Sequence, residues 1–177
     1  LIIVVLKFIV NFVQIIFLDN SLNLTSSSIN FKALDSIEKI LIKFSIALSQ
    51  KNHKVTIYNR ANHENSYKNV VWKNINKLNN NEADILILFQ DIELLKYRVK
   101  AKIKFLFLHY KPTEDFDNSL LVKLIKEKIC ILYTNNYLIN ALPHNFNYIP
   151  KIYFKLGVDE IYKESKILHS QYSNVFV

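Results

Sequence analysis

DSIEKILIKFSIALSQKNHKVTIY, residues 35–58, is the stretch that decides the fold. Apolar side chains recur at the helical period over residues 37–48, which predicts a helix with one apolar face. Asp35 directly precedes this helix. Glu38 lies three residues after Asp35, which is the spacing of a capping box. The pattern therefore predicts a helix that begins directly after Asp35.

One strand is predicted after this helix and another before it. Asn52 follows the last helical turn, where Asn substitutes for Gly in the left-handed conformation. Residues 53–58 are rich in β-branched and aromatic side chains and predict a strand. Residues 13–18 form an apolar run that ends in turn-forming polar residues, and they predict the preceding strand. Strand, helix and strand in this order indicate a right-handed βαβ unit.

The alternation of strands and helices continues along the chain. Further strands are predicted at residues 70–72, 84–89, 103–108 and 129–133, and further helices at residues 91–99, 119–128 and 135–142. The later strands are continuous apolar runs, which is typical of parallel strands covered on both faces. We therefore predict the α/β class, with a Rossmann-like, doubly wound, mainly parallel sheet.

The two ends of the sequence indicate part of a longer protein. Residues 1–12 are an apolar leader of uncertain status, residues 13–159 form the predicted domain, and residues 160–177 resemble a linker and the first strand of a further domain. Residues 1–18 approach the length of a membrane span, so an anchor is the alternative to a first strand. Lys7, Asn11 and Gln14 favour the strand, because each polar side chain costs free energy on insertion.

The composition limits the classes of partner. The formal net charge is +8, from 23 Lys and Arg against 15 Asp and Glu. This surplus can attract phosphates or an anionic membrane. The basic residues are, however, scattered among Ile and Asn, and an A/T-rich coding sequence would raise the number of Lys residues without selection for a partner. Without a basic patch interleaved with aromatic residues, we expect no nucleic-acid partner. The single cysteine, Cys130, fits a reducing compartment, so we expect a cytoplasmic protein, with peripheral contact to the inner membrane face left open.

Glycine-dependent sites are not available to this sequence. Gly157 is its single glycine, so neither a P-loop nor a G-x-G-x-x-G turn can be built. This argues against the standard nicotinamide and flavin dehydrogenases, and the missing G-x-S-x-G elbow argues against α/β-hydrolases. No spaced set of Cys and His predicts a metal site. We expect neither a metal nor a bound cofactor.

Polar residues follow the predicted strands at their carboxyl ends, where open parallel sheets bind ligands. These residues are Asp19-Asn20, Asn59-Arg60, Gln90-Asp91, His109-Tyr110 and Thr134-Asn135. A neutral imidazole at His109 could hydrogen-bond a sugar hydroxyl or a phosphate oxygen, or act as a base. The alternative is a histidine that merely caps its strand.

Six segments share a further pattern of order and spacing: Ile37-Glu38, Leu48-Ser49-Gln50-Lys51-Asn52-His53-Lys54-Val55-Thr56-Ile57-Tyr58, Asp84-Ile85-Leu86-Ile87, Leu106-Phe107-Leu108-His109, Leu132-Tyr133-Thr134-Asn135 and Gly157-Val158-Asp159. Together they resemble the N-terminal domain of glycosyltransferase family 4, whose members have the GT-B fold of two facing Rossmann-like domains. The resemblance runs over residues 13–159. The family's glycine pair before the helix is here Leu34-Asp35-Ser36. Asp35 would therefore either place a negative charge beside a donor diphosphate or cap the helix.

The resemblance implies an enzyme that moves a sugar from a nucleotide-diphosphate donor to an acceptor hydroxyl, without a metal and with the nucleotide sugar as substrate. The acceptor would be a glycan or a lipid-linked sugar. His109 is then the catalytic candidate, and Asp35 and Ser36 form the donor-binding loop. The cleft and acceptor residues would be Gln90, Asp91, Tyr110, Lys111 and Thr134.

Two consequences complete the prediction. A GT-B active site needs both domains, so this chain requires a C-terminal domain as partner and should not turn over alone. The missing glycine pair supports an alternative function, a non-catalytic or degenerate Rossmann-like binding module.

Overall fold

A computed structural model describes residues 12–25, 34–79, 81–110 and 117–155 of the chain. Several predictions lie outside these residues. They concern most of the apolar leader, the cleft residue Lys111, the Gly157-Val158-Asp159 motif, and the linker and strand at residues 160–177.

The described residues form an eight-stranded sheet in the order β3-β4-β2-β1-β5-β6-β7-β8. The strands are β1 (Gln14–Leu18), β2 (Lys54–Asn59), β3 (Asn65–Tyr67), β4 (Val70–Asn74), β5 (Glu82–Phe89), β6 (Lys100–Leu108), β7 (Ile129–Tyr133) and β8 (Lys151–Tyr153). Every pairing is parallel except that of β3 with β4. The strand order reverses at β1, which lies between β2 and β5. The carboxyl ends of β1 and β5 therefore flank the topological switch point, where such sheets bind ligands.

Helices cover both faces of the sheet. The α-helices are α1 (Ser36–Ser49), α2 (Asn118–Lys126) and α3 (Asn136–Asn140), and the 3-10 helices are η1 (Ile75–Lys77), η2 (Ile92–Tyr97) and η3 (His144–Tyr148). The predicted capping box is present at α1. The Asp35 carboxylate accepts from the Glu38 N–H at 2.8 Å, and the Glu38 carboxylate accepts from the Asp35 N–H at 2.9 Å. Asn52 has φ 64°, the left-handed conformation predicted for it.

Two apolar cores lie on opposite faces of the sheet. The core under α1 is partly aromatic, and the Phe44 ring lies 5.4 Å from that of Phe17 and 6.2 Å from that of Phe107. The other core is mainly aliphatic and packs η2, α2 and α3 against the sheet. Because side chains alternate along a strand, Phe107 faces α1 and Leu108 faces the opposite core. His109 follows Leu108 directly, at the carboxyl end of β6.

The predicted fold class is confirmed, and the details differ in places. β3, β8 and η3 were not predicted. β3 is short and polar, and β8 has three residues at the sheet edge, so neither strand has a clear pattern in the sequence. The helix predicted at residues 91–99 is the 3-10 helix η2, which ends where Arg98 takes φ 51°.

The suggested membrane anchor at residues 1–18 overlaps the sheet. Its last five residues form β1, inside the sheet between β2 and β5. Within the described part of the chain, no helix combines the length and apolarity needed to cross a bilayer.

Candidate functional site

The carboxyl end of β1 is closed by its own turn. Asp19 is 0% exposed, and its carboxylate accepts from Ser21 N–H at 3.1 Å, Ser21 Oγ at 2.7 Å and Leu22 N–H at 2.9 Å. Burial raises the pKa of Asp19 above its ordinary value of 3.8, while the hydrogen bonds from Ser21 and Leu22 oppose the rise. Asp19 was among the residues predicted to line a crevice. Its side chain instead holds the turn that follows β1.

The carboxyl end of β2 is closed in the same way. Asn59 is 0% exposed, and its Nδ2 donates to the Leu24 carbonyl at 2.8 Å. Its Oδ1 accepts from the Ala61 N–H at 2.9 Å. The nitrogen and the oxygen of this amide therefore both have hydrogen-bond partners within the protein. The side chain that remains at the surface here is Arg60, whose Nε lies 3.4 Å from Asn20 Oδ1.

The ends of β6 and β7 are joined by side chains. His109 Nδ1 lies 2.7 Å from Thr134 Oγ1, a hydrogen bond whose direction depends on the imidazole tautomer. The backbone supports this pair, because the Thr134 N–H donates to the Leu108 carbonyl at 3.3 Å. Partial burial lowers the pKa of His109 below its ordinary value of 6.5. The imidazole is therefore mainly neutral at pH 7.

Tyr110 links this pair to the first turn of α1. Its ring lies 4.5 Å from the His109 ring, with an interplanar angle of 63°. Its hydroxyl is hydrogen-bonded to Ser36 Oγ, the first side chain of α1. Tyr110 nevertheless remains 51% exposed. The contact joins residues 74 positions apart and brings the predicted donor-side and acceptor-side residues into one network.

Gln90 and Asp91, which follow β5, have different partners. With its amide oriented to satisfy both donors, the Gln90 oxygen accepts from the backbone N–H groups of His109 at 2.8 Å and Tyr110 at 3.3 Å. Asp91 is the N-cap of η2 and accepts from the Glu93 N–H at 2.7 Å. Gln90 therefore belongs to the network, whereas Asp91 caps its own helix.

Five of the predicted site residues are brought together, and we call them the cleft network: Ser36, Gln90, His109, Tyr110 and Thr134. Two others face local partners, Asp35 in the α1 cap and Asp91 in the η2 cap. The sequence indicated which residues follow the strands. It carried no signal for the contact of Gln90 with the backbone N–H groups that follow β6, which depends on the register of β5 against β6.

The chemistry of the cleft network is that of neutral hydrogen-bonding groups. Two hydroxyls, an amide, a phenol and a neutral imidazole suit a ligand rich in hydroxyls. The positive field of the α1 N-terminus is opposed by the carboxylates of Asp35 and Glu38. In the described ranges, no group of three or more His, Cys, Asp or Glu side chains is placed to hold a metal ion.

Comparisons of this chain with models of protein families, with curated proteins and with solved structures found no match.

Proposed function

We propose that residues 13–159 are the N-terminal, acceptor-side domain of a GT-B glycosyltransferase similar to family 4. The carrying observation is the bond between His109 Nδ1 and Thr134 Oγ1 on the carboxyl edge of a parallel sheet. The Ser36–Tyr110 bond adds the first turn of α1 to the same edge. Ligands of doubly wound sheets bind along this edge, and two of the motifs that resemble the family place His109 and Thr134 there, directly after β6 and β7.

In the proposed reaction, the bond between the anomeric carbon of the sugar and the donor phosphate oxygen breaks. A bond from the acceptor hydroxyl to that carbon forms, and the hydroxyl proton is released. Thr134 occupies His109 Nδ1, so Nε2 is the nitrogen proposed to contact the sugar. If Thr134 donates to Nδ1, Nε2 carries the proton and donates to a sugar oxygen; in the other tautomer, Nε2 accepts from a hydroxyl. The lowered pKa of His109 favours the neutral ring that either contact requires.

The roles proposed for the other predicted residues combine the family resemblance with the contacts of the described residues. We assign Tyr110, Gln90 and Thr134 to the acceptor side. The family resemblance also implies Lys111 and Asp91 there, and of these two the Asp91 carboxylate accepts from the Glu93 N–H in the η2 cap. Ser36 is the donor-side group of α1, while the Asp35 carboxylate is held in the cap. A carboxylate there disfavours a diphosphate at this helix end, so we propose that the C-terminal domain supplies most of the donor contacts.

The proposed location is the cytoplasm, with peripheral contact to the inner membrane face through scattered basic residues when the acceptor is a lipid-linked sugar. The proposed partners are therefore a nucleotide sugar, a glycan or lipid-linked sugar, and a C-terminal domain.

The test is to join this chain to the C-terminal half of a family-4 enzyme and to measure consumption of UDP-glucose and GDP-mannose. We expect His109→Ala to lower turnover by about 10²- to 10⁴-fold, the range for loss of a positioned acid–base group. His144→Ala is the matched control, because His144 is an exposed histidine at the start of η3. Turnover that is the same in the His109 and His144 variants would remove His109 from the mechanism.

A degenerate binding module is the second candidate, and the capping box supports it. The Asp35 carboxylate stands where the family has glycines, and it accepts from the Glu38 N–H of its own helix. Glycines at positions 35 and 36 would remove this charge and let a ligand approach the helix N-terminus. Nucleotide-sugar binding that appears in the Asp35→Gly/Ser36→Gly variant would favour a decayed enzyme site. Binding that stays undetectable would favour an unrelated module.

A further inference from the structure

Gln90 has an unusual backbone conformation at the topological switch point. It directly follows β5 and has φ 67°, in the left-handed region where residues other than glycine are uncommon. The last residues that pair between the two strands are Phe89 and Phe107. Gln90 lies one residue beyond Phe89, and its N–H donates to the Phe107 carbonyl at 2.9 Å. The chain therefore turns away from the sheet at Gln90 while it is still bonded to β6.

Beyond the end of β5, the Gln90 side chain replaces the strand backbone as the hydrogen-bond acceptor. Its amide oxygen accepts from His109 N–H at 2.8 Å and Tyr110 N–H at 3.3 Å. Both donors lie just beyond Leu108, the last residue of β6. One side-chain oxygen thus supplies the acceptor that another residue of β5 would have supplied.

We infer that Gln90 is a positioning residue, which fixes the backbone of His109 and Tyr110 so that His109 meets Thr134 and Tyr110 meets Ser36. Its importance for catalysis depends on the proposed function. The positioning itself can be measured without turnover, so the two ideas can fail separately.

The left-handed backbone offers a way to separate this role from a structural one. A glycine at position 90 would relieve the backbone and remove only the side chain. Arg98, with φ 51°, and Lys128, with φ 53°, occupy the same backbone region in turns outside the cleft network. Glycine at those two positions supplies matched controls for the backbone effect.

The experiment compares Gln90→Gly with Arg98→Gly and Lys128→Gly in the full chain, by amide hydrogen exchange and by the ¹⁵N shifts of the His109 ring. We expect Arg98→Gly and Lys128→Gly to keep or raise the melting temperature, and Gln90→Gly to melt below both, because it also removes the acceptor of two hydrogen bonds. Only Gln90→Gly should speed exchange at His109 and Tyr110, by about fivefold to tenfold, as loss of one hydrogen bond implies. The Nδ1 shift of His109 should also move towards that of a free imidazole.

Two further variants guard against an indirect effect. Gln90→Met keeps the length of the side chain without an acceptor, and it should reproduce the fast exchange. Gln90→Glu keeps an acceptor oxygen, and it should restore slow exchange. Slow exchange and an unchanged Nδ1 shift in both Gln90→Gly and Gln90→Met would overturn the inference.

Discussion

The ends of β1 and β2 differ from the ends of β6 and β7, although all four lie on one edge of the sheet. Asp19 and Asn59 are 0% exposed and bond mainly to nearby backbone groups. His109 and Thr134 are partly exposed and bond to each other. A polar group whose partners are buried backbone atoms maintains the fold, whereas a partly exposed pair of side chains can exchange partners with a ligand. The carboxyl edge therefore has a structural half, at the ends of β1 and β2, and a second half, at the ends of β5, β6 and β7, that we propose binds the ligand.

The largest loss of stability is expected for Asp19→Ala. The substitution removes the acceptor of three hydrogen bonds and leaves the N–H groups of Ser21 and Leu22 without it. We expect the free energy of unfolding to fall by about 2–3 kcal/mol, measured by urea denaturation at pH 7. A loss below about 0.5 kcal/mol would show that this end of the edge is not structural.

Asp19→Asn tests the pH dependence of the same site. Because burial raises the folded-state pKa of Asp19 above 3.8, the folded state binds more protons than the unfolded state between those two values. This contribution to stability is present at low pH and is lost as the pH rises through the raised pKa. The stability of the Asn variant relative to the native chain should therefore increase from pH 4 to pH 7. A constant difference would contradict the raised pKa.

A smaller loss is expected at the α1 cap, where Asp35 directly precedes Ser36 of the cleft network. Asp35→Ala removes the capping box and should cost about 1 kcal/mol, whereas Asp35→Ser keeps a good N-cap and should cost less. The comparison is made by thermal unfolding of both variants. Equal losses would show that the Asp35 carboxylate contributes something other than capping.

The smallest loss is expected in the half of the edge that is proposed to bind the ligand. Thr134→Val removes the partner of His109 Nδ1 at a partly exposed site, so the free energy of unfolding should fall by about 0.5–1 kcal/mol. Thr134→Ser keeps the hydroxyl and is the matched control. Only the Val variant should change the His109 ring shifts in NMR spectra. If the Ser variant changes them equally, the hydroxyl is not what holds the ring.

His109 itself adds a small pH dependence with a defined sign. Its folded-state pKa lies below 6.5, so the unfolded state binds more protons as the pH falls through 6.5. Its contribution therefore lowers stability on acidification, and His109→Gln should reduce the loss between pH 7 and pH 5. Urea denaturation at the two pH values measures this change. An identical pH dependence in both proteins would place the imidazole in an environment like that of the unfolded chain.

The sequence predicted the parts of this molecule that depend on local patterns. The period of residues 37–48 gave α1, the Asp35–Glu38 spacing gave its cap, and the apolar runs gave the inner strands. The sequence also indicated the turn at Asp19, because an Asp side chain commonly accepts a hydrogen bond from the backbone N–H two residues later. Asp19 was assigned to a crevice only because it follows a strand.

The features that the sequence did not predict depend on long-range register. β8 is defined by its pairing with β7, and its three residues carry little pattern of their own. The Gln90 contact exists because the pairing of β5 with β6 ends at Phe89. In the sequence, η2 lies between these two strands. No local pattern specifies that position. The choice between a crevice residue and a buried turn residue likewise depends on what covers each strand end.

The central claim is that the half of the edge formed by β5, β6 and β7 binds a sugar. The most direct test is an NMR titration of the ¹⁵N-labelled chain with glucose, mannose and their methyl glycosides. We predict saturable shifts at Ser36, Gln90, His109, Tyr110 and Thr134, and none at Asp19 or Asn59. Shifts confined to the β1 and β2 ends, or no saturable shifts with any of these sugars, would contradict the claim.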